Sequence, residues 1–182
     1  TQNAVDVLAS RVALGGNDEK LAALFARIAQ LEERELKNLP AAADALRGRL
    51  RFAPDDAQAS KRLQQLLVEL KDDAGLVDEC LRRVARLRPG AERTELLLAA
   101  GDAAVSLGRN DQARDVWLRA LKSTPYSKDA LEKLLALGRT QKNHRLIVRA
   151  RVAAAQTLAD GQPAAEQAAE AGAYLYGFVG RT

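Results

Sequence analysis

His144 is the only histidine of the chain and Cys80 its only cysteine. Counting alone therefore rules out a histidine-pair or Cys/His zinc site built on several such residues, a thiolate cluster and an internal disulfide. A serine triad around the single histidine has no support from its neighbours in the sequence. His144 reads as a solvated or capping residue near a helix start, and Cys80 as a small buried hydrophobe. Carboxylates could do acid–base work, and Glu32, Glu33, Glu35, Asp72 and Asp73 are the obvious candidates. All lie beside basic residues on expected helix faces, so the expectation is a solvated, salt-bridged surface without a pocket. Neither GxGxxG nor GxxxxGK[ST] occurs, and Gly15, Gly16 and Gly108 read as helix stops. The chain reads as a non-enzyme that needs no cofactor and no metal.

Two basic groupings could hold phosphate or carboxylate groups: Arg82, Arg83, Arg86 and Arg88, and Arg139, Lys142, Arg145, Arg149 and Arg151. Their charges alternate with apolar positions, as on any exposed amphipathic helix, and an anion-binding patch is the alternative reading. Aromatics for base stacking are not interleaved with them. With 28 basic and 24 acidic residues, the net charge of +4 describes a mixed surface rather than a nucleic-acid footprint.

The elements that would position these residues are helical. Ala and Leu dominate, aromatic residues make up 4% of the 182 positions, and Met is absent. The apolar spacing predicts helices over roughly 3–14, 18–37, 39–52, 56–71, 74–87, 92–107, 110–123, 127–138, 141–160 and 163–178. LGGND at 14–18, LGRND at 107–111 and LGRT at 137–140 read as turns, with Gly108 at a left-handed exit and Asn110 capping the next helix. Asp55 with Gln58 has the spacing of a capping box, and Pro163 suits a first turn. GQP at 161–163 is the best candidate for a break.

Pro54, Pro89 and Pro125 recur at a period of about 35 residues, the mark of helix-pair arrays. From Thr94 to Tyr126 the order Leu97, Ala100-Gly101, Ala104, Ala113, Trp117, Ala120, Pro125 resembles the tetratricopeptide repeat family. Residues 58–91 keep Leu81, Val84 and Pro89 but carry Gln65 at a small-residue position, and residues 23–56 keep Ala42, Leu46 and Pro54. The resemblance implies an all-α fold: antiparallel helix pairs stacked in a right-handed superhelical solenoid, read here as one domain over 1–182. Its best repeats are 23–56, 58–91 and 94–127, with degenerate or capping helices at 1–22 and 128–182. Trp117 then belongs to the frame, filling the groove left by Ala113 and Ala120, rather than to a functional surface.

The resemblance further implies that the first helix of each pair lines a concave, partner-binding groove. Carried over, this gives Arg27, Leu31 and Arg34, then Arg62, Leu66 and Glu69, then Leu98, Asp102 and Val105, then Lys128 and Glu132: a groove of mixed charge with an apolar floor. The two-carboxylate clamp of the family's chaperone-tail binders is disfavoured, because its basic and Asn positions hold residues such as Leu31, Leu66 and Asp102. At the carboxyl end Tyr174, Tyr176 and Phe178 form a second candidate interface. It could dock back on the array, be covered by further repeats, or mediate partner binding or self-association.

The expected function is a non-catalytic protein-interaction scaffold or adaptor of bacterial character, part of a larger assembly protein, that takes a protein or peptide partner. The alternative is a nucleic-acid-binding helical repeat, against which stands the lack of a regular base-reading pair. No run approaches the roughly 20 apolar residues of a membrane helix. The amino end, beginning at Thr1 without Met, has no secretory signal. The expectation is a cytoplasmic protein, or a periplasmic one if this is a processed fragment.

Overall fold

The computed structural model describes residues 2–123, 127–158 and 162–179, so Pro125 and the 159–161 connection, with Gly161 of the expected break, fall outside it, as do the side chains of Ser123, Gln162, Phe178 and Val179. Among the described residues the fold is all-α. Its elements are α1 (Gln2–Ala13), α2 (Asp18–Arg34), α3 (Leu39–Phe52), α4 (Ala57–Glu69), α5 (Asp73–Val84), α6 (Ala91–Ser106), α7 (Asn110–Ser123), α8 (Lys128–Thr140), α9 (His144–Thr157) and α10 (Gln162–Val179). The chain divides into two compact units, 1–79 and 80–182. In the first, α2 packs between α1 and α3, and α3 against α4. In the second, α6, α7, α8, α9 and α10 each pack on the next, with α7 also touching α9.

Side-chain caps start most of these helices. Asn17 accepts from the Lys20 N–H, Asp56 from Ala59, Ser127 from Ala130 and Asn143 from Leu146, each satisfying an amide that the first turn leaves without a partner. The cap of α4 is thus Asp56, one residue later than the expected Asp55. Asn110 lies inside α7 rather than before it, since the Ala113 N–H already reaches the Arg109 carbonyl.

Helix exits depart further from expectation. Gly108, at φ +72°, ends α6 in the left-handed conformation, and the Arg109 N–H returns to the Ala104 carbonyl at 2.8 Å. The same loop closes α4 with Lys71 (φ 55°) and α8 with Lys142 (φ 51°), their following amides returning to Leu67 and Gly138 at 2.9 and 2.7 Å. LGRT is therefore no turn: Gly138 lies within α8, where a β-carbon would stand 2.7 Å from Ile147 Cγ1 of α9. Its small size serves close helix approach.

Each unit has a core of aliphatic side chains, with Leu63, Leu66, Leu67 and Val77 sealed in the first and Leu97, Leu121 and Leu134 in the second. Cys80 is fully buried, as its type suggests. Leu97, Ala100, Gly101, Ala104, Ala113, Trp117 and Ala120 are all buried, so the spacing read as a repeat frame does build the interior of the second unit. Phe25 stacks on Phe52 at 5.9 Å and fills the space over Gly48, which joins α2 to α3 by the same device of a large side chain set against a glycine. Glu32 corrects the expectation of a solvated acidic face: it is only 5% exposed and one carboxylate oxygen has no hydrogen-bond partner.

Candidate functional site

Within the first unit the expected groove residues separate into two sets. Leu31 and Leu66 are 5% and 0% exposed, so they are core residues and present no floor to a partner. Both stand on the inward stripe of their helices, where apolar burial outweighs exposure to a ligand. Arg27 and Arg34 are exposed, Arg27 hydrogen-bonding Gln30 at 3.4 Å. Arg62 is committed internally: its Nη2 and Nε donate to both oxygens of Glu33 at 2.7 and 3.2 Å, and its Nη1 donates to Gln65 and lies 3.8 Å from Glu69. The hydrogen bond to Glu33 raises the Arg62 pKa above its ordinary value, with the charges of Glu33 and Glu69 adding to it against a smaller cost of burial. This clamp ties α4 to α2 and leaves Glu69 as the solvent-facing member.

In the second unit α6, α7 and α8 enclose a cleft of about 350 Å³. Asp102 and Val105 of α6 line it, facing Ala136 and Leu137 of α8 across an edge of Trp117. Asp102 accepts from Lys133 Nζ at 2.7 Å, and the same ammonium sits 5.8 Å from the centre of the Trp117 ring. Lys133 is not among the residues that the sequence singles out, and only the packing of α8 on α7 brings it to Asp102. Leu98 is half-buried and its carbonyl accepts the indole N–H at 3.4 Å. Lys128 and Glu132 pair with each other at 3.6 Å on an exposed turn of α8, outside the lining of the cleft.

The basic groupings are not uniform faces. Arg83 is buried and pairs with Glu92 at 3.3 Å, which removes it from the exposed stripe that also holds Arg86 and Arg88. Arg151 turns toward α10, pairing with Glu170 and donating to Gln167 at 3.2 Å. Arg145 and Arg149 remain exposed. His144 is half-buried rather than solvated, with Nδ1 2.6 Å from the Tyr174 hydroxyl and the rings 5.5 Å apart. Tyr174 thus docks α10 on α9. Tyr176 is 84% exposed, while the Phe178 side chain lies outside the described residues.

Among the described residues no group of three metal-ligating side chains occurs, and no helix is long and apolar enough to cross a membrane. No protein-family model matches the chain, and no curated protein matches it by sequence. Among solved structures, one match is titled "Crystal structure of MamA protein": 14% identity, TM-score 0.52, covering 87% of this chain and 90% of that one. MamA is a helical repeat protein of tetratricopeptide type, and at this identity the likeness is one of fold. The chain is an all-α helical repeat protein of that type of architecture.

Proposed function

We propose that the chain is a non-catalytic interaction scaffold that holds an extended or helical peptide of a partner protein in the cleft between α6 and α8. One observation carries this reading: Asp102, Val105, Trp117 and Lys133, from three helices, converge on a cleft with an apolar floor and one charge of each sign at its mouth. Such a mouth suits a peptide that offers an apolar anchor and can open the Asp102–Lys133 pair to make its own charged hydrogen bonds. The repeat architecture supports it, because helix pairs present side chains from successive first helices along one face. Arg27 and Arg34 are the exposed candidates in the first unit, and we take 1–182 as one array.

The test is affinity capture from native extract with the chain and its Val105→Glu/Ala136→Glu variant, each with and without nuclease. Both positions are exposed and line the cleft, so the variant should fold. Proteins retained by the parent, lost by the variant and indifferent to nuclease are expected. Capture unchanged by the variant would place the binding surface elsewhere, and partners lost on nuclease treatment would favour nucleic acid as the ligand.

A further inference from the structure

A second cavity, of about 510 Å³, shares no residue with the α6–α8 cleft. Its floor is Leu118 of α7, Val148 and Val152 of α9 and Leu175 of α10. Val152 and Leu175 stay 39% and 48% exposed, a cost in unburied apolar area that a covering partner would remove. The floor continues into a shallower depression of about 610 Å³ along α9 and α10, through Val152, Gln156 and Leu175 to Ala164 and Ala168. From His144 to Gln156 this trough follows α9 for roughly 18 Å at 1.5 Å per residue.

Charge is confined to one end. Lys122, Arg145 and Arg149 are exposed on the lining, no Asp or Glu is among the described residues there, and none of the three cations makes an ion pair among the described residues. Arg145 and Arg149 lie one turn apart on the same face of α9. Arg145 also stands in the first turn of α9, which has no acidic residue, so a cation sits at the positive end of the helix dipole. Three like charges gathered there repel one another and are relieved by an external anion. His144, held by Tyr174, closes that end.

We propose that this trough binds a helix of a partner protein whose apolar stripe lies over Val152 and Leu175 and whose one end carries two or three acidic residues that meet Lys122, Arg145 and Arg149. The trough is open along its length, which suits a helix laid on it with one face buried rather than an acyl chain that would need enclosure on all sides. The segregated charge fixes the direction in which that helix lies.

The test uses the whole 182-residue chain and labelled peptides of about 16 residues, the span of roughly four helical turns. Each has a Leu stripe and a Glu cluster at either its amino or its carboxyl end, and each has a Lys counterpart. Fluorescence anisotropy at moderate salt should show one acidic orientation bound, with its Lys counterpart weaker by at least about tenfold. Arg145→Glu/Arg149→Glu should weaken the acidic peptide by about tenfold or more and strengthen the Lys one, Leu175→Gln should weaken both, and Val105→Glu in the other cleft should change neither. Circular dichroism confirms that each variant is folded. The proposal is overturned if neither acidic orientation binds, if acidic and Lys peptides bind alike, or if Arg145→Glu/Arg149→Glu retains the acidic peptide. It is equally overturned if vesicles containing phosphatidylserine, but no peptide, sediment the chain, or if Leu175→Gln dissolves a dimer that already covers the trough.

Discussion

Gly101 of α6 and Trp117 of α7 occupy one space: a β-carbon on Gly101 would overlap the indole around Nε1. The glycine is what lets α6 and α7 approach closely enough for the buried indole to reach the Leu98 carbonyl.

The first prediction follows from that overlap. Gly101→Ala should destabilise the second unit by about 1–3 kcal/mol, because the contact is with a rigid, buried ring rather than with the end of a flexible side chain. Trp117→Ala should cost on the order of 3–5 kcal/mol. In the Trp117→Ala background the sign at residue 101 should reverse, since the clash is gone and Ala is the better helix former by about 1 kcal/mol. Gly172 of α10 has nothing within 4 Å of a β-carbon, and Gly172→Ala should stabilise slightly. Denaturant midpoints of the four variants check this; a destabilising Gly101→Ala in both backgrounds would show that something other than the indole fills the space.

Much of this frame was legible in the sequence. Trp117 could be assigned to the core because Ala113 and Ala120 share its stripe, and periodic apolar spacing located all ten helices to within a few residues. Legibility failed where one backbone conformation is reached by different residue types. Gly108 announces a left-handed helix exit, but Lys71 and Lys142 adopt the same conformation with no such signal, so the sequence points to LGRT for a turn that Lys142 makes. Leu31 and Leu66 were placed in the groove by a repeat register that cannot tell a core leucine from a floor leucine. The basic trough was harder still, because Lys122, Arg145 and Leu175 meet only through packing of α7, α9 and α10.

The second prediction concerns those lysines. A side chain at positive φ is strained by contact between its β-carbon and the backbone, a cost of roughly 1–2 kcal/mol in full left-handed geometry that glycine escapes. Part of the gain is lost to the greater freedom of glycine in the unfolded chain. Lys71→Gly and Lys142→Gly should each therefore stabilise by about 0.5–1 kcal/mol, whereas Gly108→Ala should destabilise by about 1 kcal/mol. Thermal melts of the three variants suffice, and a loss of stability in both lysine variants would argue that their side chains make contacts that outweigh the strain.

The third prediction concerns Arg62. Its folded pKa is raised, so its stabilisation is fully present below the ordinary guanidinium range and is lost only as pH rises through the raised value. Between pH 5 and 9, roughly, the clamp on Glu33 should thus contribute no pH dependence through the arginine. Salt should matter instead. Arg62→Met should cost about 1 kcal/mol at low ionic strength, because the pair is partly solvent-screened, and the difference should shrink by 1 M salt, where the Debye length falls to about 3 Å. A cost for Arg62→Met that is indifferent to salt would assign the arginine a packing role through its aliphatic stem.

The last prediction concerns how firmly α10 is held. Tyr174 and Arg151 anchor it on α9 through the bond to His144 and the pair with Glu170, and the remainder of its contact face is built largely of alanine. Alanine buries little area per residue, so these polar anchors carry an unusually large share of the docking free energy. Tyr174→Phe removes one hydrogen bond, worth about 1 kcal/mol, and should speed amide exchange across α10 by about fivefold while leaving α6 and α7 protected as before. Adding Glu170→Gln should raise exchange in α10 further. Because Leu175 lies next to Tyr174, the same variants should weaken an acidic helix in the trough, through loss of a preformed floor rather than of charge. Exchange in α10 that does not respond to Tyr174→Phe would mean that the alanine face and the Arg151 contacts dock the helix by themselves, and the trough would then be rigid without the His144–Tyr174 contact.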